Sequence, residues 1–281
     1  MGMAVATKLN ALVTGELAGH RCVLINTTQS AEYLSERGML PFGYRPRITL
    51  SDGSIMDGVL KPVHIWYIET PDARIVVDTS FESAAAVHKT QTGRGQPMFL
   101  HRKEEWEIPA ALASVGVQPE DIDIVILSHC HYDHCGSNSL FKRARFYAHR
   151  RELELVREQP PFAAHYHPGD REHIAAIEDR LLVVDDELEI VPGVRVWRAG
   201  GHSPGCMVVV VESERGPVAI MGDVMHDYLN LDRWWPGTSN NYWDIQEIVD
   251  AYARTRKEAR IVLPGHDWKL WEVHPGGRVL G

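Results

Sequence analysis

The chain has 281 residues, of which 44% are hydrophobic and 24% charged, and its formal net charge is −9. This composition is ordinary for a globular protein with a substantial core. The acidic balance argues against non-specific nucleic-acid binding, which needs clustered Lys and Arg, and no apolar run has the length of a membrane span.

Short runs rich in β-branched residues predict strands along most of the chain. They lie at 64–70, 74–80, 123–129, 144–149, 194–200, 207–213, 217–223 and 260–266. Turn residues at 70–73 and 213–217 predict two hairpins. Helical periodicity occurs at about 104–115, 150–158, 171–179 and 243–257. Clusters of strands with helices between and after them indicate an α/β protein.

No stretch of the sequence has the character of a linker between domains. The Gly/Pro-rich stretches 38–47 and 88–99 have the character of long loops, with a helical start in the second, so we expect a single domain over residues 1–281. The first twenty residues lack the apolar core of a secretory signal. Four cysteines without a CxxC pair indicate a reducing, cytoplasmic location.

The segment "SHCHYDHCG" at 128–136 gathers His129, His131, Asp133 and His134 in the pattern His-x-His-x-Asp-His. Imidazole nitrogen suits zinc, and a carboxylate can complete or bridge a metal site. His129 and His131 share a face if the segment is extended, whereas Asp133 and His134 need a turn or a helix start to point elsewhere. One segment can therefore contribute ligands to two adjacent ions.

Further metal-capable residues lie at or just after the ends of three other predicted strands. His202 follows the strand 194–200, Asp223 ends 217–223 and His266 ends 260–266. Taken alone, His202 and His266 are equally compatible with ordinary turn residues, and Asp223 is more typical of one. Together with the cluster they give seven candidate ligands, and one shared carboxylate provides four protein ligands for each of two ions.

These motifs resemble those of the metallo-β-lactamase superfamily. The motifs that show the resemblance are "VVDTS" 76–80, "HCHYDH" 129–134, "GGHSPG" 200–205, "MGD" 221–223 and "LPGHD" 263–267. The resemblance implies an αβ/βα sandwich, in which two mixed β-sheets are flanked by helices and metals lie at one rim. Residues 1–60 are then an N-terminal segment with a rim loop.

The same resemblance implies a role for each candidate ligand. One metal is bound by His129, His131 and His202, the other by Asp133, His134 and His266, and Asp223 bridges them. Asp78 resembles an aspartate that braces the ligand loop.

Within the superfamily the chain is most similar to dinuclear-zinc lactonases, namely N-acyl-homoserine lactone lactonases and 4-pyridoxolactonase. This implies two Zn²⁺ ions per chain and a bridging hydroxide that attacks a lactone carbonyl. Those lactonases carry a tyrosine three residues after the bridging aspartate, where this chain has His226. His226 or Tyr228 is the candidate donor to the substrate, and Asp133 is a candidate to protonate the leaving alkoxide.

Other readings stay open. The same centre can cleave a β-lactam, a thioester or a phosphotriester. A redox iron protein is disfavoured because His131 stands where such proteins carry glutamate, and a nucleic-acid-processing enzyme is disfavoured by the acidic charge. A small-molecule substrate and a homodimer are expected. Aromatic residues are candidates for a pocket roof, the core or a dimer contact: Tyr228, Trp234, Trp235, Tyr242 and Trp243, with Phe162 and Tyr166.

Overall fold

The computed structural model describes residues 6–20, 47–49, 52–93, 100–158, 168–234 and 243–281. The described strands are β1 (Lys8–His20), β2 (Arg47–Thr49), β3 (Ile55–Glu69), β4 (Arg74–Val77), β5 (Leu100–His101), β6 (Ile124–Ile126), β7 (Arg145–His149), β8 (Leu181–Val184), β9 (Glu187–Val191), β10 (Val194–Arg198), β11 (Met207–Val211), β12 (Val218–Ile220), β13 (Ile261–Leu263) and β14 (Arg278–Leu280).

The described α-helices lie between groups of these strands. They are α1 (Ala84–Gly93), α2 (Ile108–Ala113), α3 (Tyr132–Cys135), α4 (Arg150–Glu158), α5 (Pro168–Ala175), α6 (Tyr228–Arg233), α7 (Ile245–Glu258) and α8 (Leu270–Val273). Their starts follow local chemistry: the Asp244 side chain accepts the backbone N–H groups of Gln246 and Glu247 at the start of α7, which is a typical N-cap.

The strands form two mixed sheets. The first has the order β14-β1-β3-β4-β6-β7-β8, with β2 beside β3 and β5 beside β1, and the second has the order β13-β12-β11-β10-β9. In the first sheet β3 and β4 are antiparallel while β4, β6, β7 and β8 run parallel. In the second only the β12–β13 pair is parallel among the described pairs.

A core lies between the sheets and each outer face is covered by helices. The inner core joins Ile75 and Val77 of the first sheet to Val209 and Ile220 of the second. Val76, which points the other way, packs against α2 and α4. Ile248, Ala251 and Tyr252 of α7 cover the outer face of the second sheet. The predicted αβ/βα sandwich is confirmed, and strands buried on both faces explain the continuous apolar runs.

All eight predicted strands are present, and the two predicted hairpins join β3 to β4 and β11 to β12. The predicted helix 104–115 is divided into a short 3₁₀ turn at Glu104–Trp106 and α2, which has Pro109 in its first turn. The helix predicted at 171–179 is α5 followed by a 3₁₀ turn at Glu178–Arg180. Of the predicted loop 38–47 only Arg47 is described, and it begins β2. The predicted loop 88–99 has the expected helical start, since residues 88–93 belong to α1, and residues 94–99 lie outside the described residues.

Candidate metal centre

The loops that follow four strands meet at one edge of the two sheets. β6 ends at Ile126, β12 at Ile220 and β13 at Leu263, and in each case the metal-capable residue comes three positions later. The expectation that these residues end the strands was therefore wrong. The positive φ of Gly222 takes the chain out of the extended conformation after β12, and Gly200 and Gly201 do the same after β10.

Three histidines and an aspartate form the first group of metal-capable residues. His131 Nδ1 lies 3.0 Å from His129 Nε2 and 3.0 Å from His202 Nε2. Asp223 Oδ2 lies 3.4 Å from His202 Nε2 and 3.9 Å from His129 Nε2. All four side chains are buried, and one ligand atom from each falls within 4.8 Å of the others.

Asp133, His134 and His266 form the second group, whose ligand atoms also lie within 4.8 Å of one another. The helix start needed after His131 is present, because α3 begins at Tyr132 and carries Asp133 and His134. Asp223 joins the two groups. Its Oδ1 lies 2.9 Å from His266 Nε2 and 3.2 Å from His134 Nε2, whereas its Oδ2 faces the first group.

The residues fit a metal ion. His134 Nε2 and Asp223 Oδ1 are buried, and neither makes a hydrogen bond of acceptable geometry within the described part of the chain. Buried polar atoms without partners are costly, and atoms that converge in this way fit a bound cation. The donor set of imidazole and carboxylate is the one that zinc and related divalent ions take.

Contacts behind the imidazoles set the nitrogen that each presents. His134 Nδ1 lies 2.8 Å from Asp78 Oδ2, and His266 Nδ1 lies 2.7 Å from the carbonyl oxygen of Pro62. When these Nδ1–H groups donate, the Nε2 lone pairs are left for a metal. Asp78 also accepts hydrogen bonds from the backbone N–H and the hydroxyl of Ser128, so it braces the loop as the resemblance implied.

The protonation states divide between the two groups. Burial lowers the pKa of His129 and His202 well below the ordinary value, so these imidazoles are neutral, which is the ligand form. Burial also lowers the pKa of His134, but Asp223 and Asp133 outweigh it and hold that pKa well above the ordinary value. Burial raises the pKa of Asp223, but His266 and other nearby imidazoles outweigh burial and hold that pKa well below the ordinary range.

His226 lies beside the centre, and the contacts described for Tyr228 do not reach it. His226 Nε2 is 3.3 Å from Asp223 Oδ2, and its ring lies 5.2 Å from that of His266. Neither ring nitrogen of His226 makes a hydrogen bond of acceptable geometry to another described residue. The Tyr228 ring packs against the core and lies 5.6 Å from Lys269 Nζ, and its backbone N–H donates to Asp267.

The aromatic residues near the rim are described only in part. Trp234 and Trp243 are substantially exposed, so neither belongs to the core. Residues 38–46 of the predicted loop at the rim lie outside the described residues, and so do the other candidates: Trp235, Tyr242, Phe162 and Tyr166.

Glu152 is a residue of the site that was not predicted. Glu152 is fully buried behind the first group. Its position on the same helix face as buried Val156, four residues later, was the available signal, because a carboxylate on an apolar face must have specific partners.

No described helix is long and apolar enough to cross a membrane. The described cysteines, Cys130, Cys135 and Cys206, are buried and not disulfide-bonded, and burial raises the pKa of each thiol well above its ordinary value. They therefore lack the character of nucleophiles or thiolate ligands.

Several known proteins are similar to this chain in sequence or in fold. A lactonase of Bacillus cereus, named N-acyl homoserine lactonase, is 28% identical over 228 residues, which is 78% of this chain and 85% of that protein. A solved N-acyl homoserine lactone hydrolase with N-hexanoyl-L-homoserine at its catalytic metal centre superposes with a TM-score of 0.73 at 22% identity, covering 96% of each chain. A dizinc quorum-quenching lactonase has a TM-score of 0.66 at 16% identity, with 95% and 92% coverage.

The model of the metallo-β-lactamase superfamily matches residues 58–266, a span that contains Asp78 and all seven metal-capable residues. The chain belongs to the metallo-β-lactamase superfamily.

Proposed function

We propose that this protein is a metal-dependent hydrolase that opens the ring of a lactone. The observation that carries the proposal is the pair of buried metal-capable groups joined by Asp223. The relatives support the choice of substrate class, since those named are N-acyl homoserine lactonases.

The two groups are proposed to bind two Zn²⁺ ions. His129, His131 and His202 would hold one ion, Asp133, His134 and His266 would hold the other, and Asp223, which lies between the two groups, would serve both. Bound at such a site, zinc supplies Lewis acidity and lowers the pKa of coordinated water towards neutrality. The dizinc lactonase among the structural neighbours supports this number and this metal.

His226 is proposed to donate a hydrogen bond to the lactone carbonyl oxygen. Its buried imidazole lies at the edge of the metal-capable groups with both ring nitrogens lacking hydrogen bonds of acceptable geometry to described residues, which is what a group waiting for substrate requires. Asp133 is proposed to take the proton given up by the attacking water and to pass it to the leaving alkoxide. Tyr228 has less support, because its described contacts are with Asp267 and Lys269.

Three further features complete the proposal. A single domain over 1–281 is supported by the pairing of β1 with β14, which joins both ends of the chain in one sheet. Exposed Trp234, Trp243 and Ile245 support the expected homodimer contact. The described cysteines form no disulfide bond, which supports a reducing, cytoplasmic location.

Turnover of a substrate panel by pH-stat tests the function. The panel contains N-acyl homoserine lactones, aromatic lactones, a cephalosporin, a thioester and a phosphotriester, all assayed with zinc-loaded protein. We expect the highest kcat/KM on a lactone, with loss of turnover in His131→Ala. Preferred cleavage of one of the last three substrates would overturn the lactone assignment while retaining a hydrolase on the same centre, and would point to His226 as the residue that changed the specificity.

A further inference from the structure

A buried carboxylate that is not itself a candidate ligand lies behind the first group. Glu152, in the first turn of α4, has no exposed surface. Its Oε1 accepts the backbone N–H of Cys130 at 3.1 Å. Its Oε2 accepts the Ser203 hydroxyl at 2.8 Å and the backbone N–H of Gly205 at 3.0 Å. All three partners donate, so the position suits an ionised carboxylate, which only accepts.

The donors belong to the two separate loops that carry the histidines of the first group. Cys130 lies between His129 and His131, and Ser203 directly follows His202. One side chain therefore joins the loop after β6 to the loop after β10. A Cβ on Gly205 would lie 2.5 Å from the Glu152 backbone nitrogen, so the second loop also packs directly against α4.

We propose that Glu152 is a positioning residue that sets the affinity of the first group for its metal ion by fixing the loop of His129 and His131 against the loop of His202. The inference rests on the proposed metal centre. The three donors of its hydrogen bonds lie beside His129, His131 and His202, so the expected effect falls on the ion of the first group. Residues behind metal ligands typically contribute 10- to 100-fold in affinity.

The test is a zinc titration against a chromophoric chelator on Glu152→Gln, with Glu154→Gln as the control. Glu154 lies two residues along α4 and is exposed. In Glu152→Gln the amide can accept at only one oxygen and must turn its NH₂ group towards a donor. We expect one zinc per chain to bind about 10- to 100-fold more weakly, with the other unchanged. Glu154→Gln should bind both as the wild type does.

Two backgrounds assign the weakened ion. In His266→Ala, which disables the second group, adding Glu152→Gln should weaken the remaining zinc by the same factor. In His131→Ala, which disables the first group, adding Glu152→Gln should leave the remaining affinity unchanged. Should Glu152→Gln fail to fold, Ser203→Ala removes one of the three hydrogen bonds and is expected to weaken the same ion by a smaller factor.

Two results would overturn the inference: wild-type zinc affinities in folded Glu152→Gln, or equal weakening of both ions. A purely structural role would lower the denaturation midpoint without changing the zinc affinity of the folded protein. Either outcome leaves the proposed function in place as long as the wild type binds two ions. A wild type that binds no zinc overturns the proposed function and this inference together.

Discussion

Asp78 Oδ2 lies 2.8 Å from the Nδ1 atom of His134, and both side chains are buried. Asp78 adopts a left-handed backbone conformation with φ of 63°, which is uncommon for a residue other than glycine. The neighbouring Thr79 N–H donates to the His134 carbonyl at 2.7 Å, so the turn after β4 holds both the backbone and the imidazole of His134. A strained turn held in this way is typical of a functional site.

Asp78→Asn is expected to weaken zinc binding at the second group by about 10- to 100-fold. The amide NH₂ of asparagine cannot accept from His134 Nδ1–H, and a switch of tautomer would place the proton on Nε2, where the metal binds. Zinc affinity by chelator competition is the measurement. Asp72→Asn, on the exposed turn between β3 and β4, is the control. Unchanged affinity in Asp78→Asn would contradict the bracing role.

Gly265→Ala is expected to destabilise the protein by about 1–3 kcal/mol and to weaken zinc binding. A Cβ at Gly265 would lie 2.6 Å from the Gly222 carbonyl oxygen and 3.1 Å from Asp223 Oδ1, and the first of these is backbone that cannot rotate away. Urea denaturation and zinc titration measure the two effects.

Gly276→Ala is the matched control for that substitution. Gly276 has open space around its Cβ position but a φ of +66°, so alanine there costs about 1–2 kcal/mol of backbone strain and leaves zinc binding intact. Equal zinc affinity in the two variants would show that the approach of Gly265 to Gly222 does not position the ligands.

His226→Phe is expected to lower kcat on the preferred substrate by about 10²- to 10³-fold, which is the usual effect of losing one oxyanion donor. Zinc content should stay at the wild-type value, because His226 is not among the seven proposed ligands. His226→Tyr restores a donor and should recover part of the rate. Loss of zinc from His226→Phe would instead make His226 a ligand, and unchanged kcat would remove it from the mechanism.

His149 is expected to make the protein less stable as the pH falls. Burial lowers its pKa, although the Asp185 carbonyl partly opposes this. Its Nε2 lies 2.6 Å from that carbonyl oxygen and its Nδ1 accepts the Arg151 N–H, so the neutral ring satisfies both contacts. The folded protein then binds fewer protons than the unfolded chain, whose histidines titrate near pH ~6.5. The stability from neutral His149 is present above that pH and is lost below it.

His149→Gln tests the sign of this dependence, because glutamine offers one donor and one acceptor but does not titrate. The free energy of unfolding, measured with urea from pH 7.5 to 5.5 (chosen to span the ~6.5 of free histidine), should fall less steeply in the variant than in the wild type. Parallel curves would contradict the assignment of this pH dependence to His149.

The sequence predicts the parts of the fold that have a strong local pattern. The eight β-branched runs all correspond to strands. β1 was not predicted, because its extended form depends on pairing with β3 over residues far away in the chain, and Gly15 and Gly19 weaken its local propensity. β8 was not predicted although it contains Leu181–Val184, since most of its side chains are not buried and no turn signal marks its start.

The candidate ligands were predicted because their chemistry is unusual at their spacing, whereas among their supports only Asp78 was predicted, and that from the resemblance. A dense local pattern contains His129, His131, Asp133 and His134. The other three candidates lie at or just after predicted strand ends, and the resemblance to the superfamily assigned their roles. The supports of the site come from long-range contacts of ordinary residues: the Pro62 carbonyl behind His266, and Glu152 behind the two histidine loops. No short-range pattern encodes which carbonyl or carboxylate will lie behind an imidazole.

The most direct test of the central claim is the metal content of the purified wild type and of His131→Ala, measured by elemental analysis after dialysis without chelator. The two groups predict about two zinc ions per wild-type chain and about one in His131→Ala, because the second group keeps all of its ligands. A wild-type protein that holds no divalent metal, and does not take up zinc when it is supplied, would contradict the account.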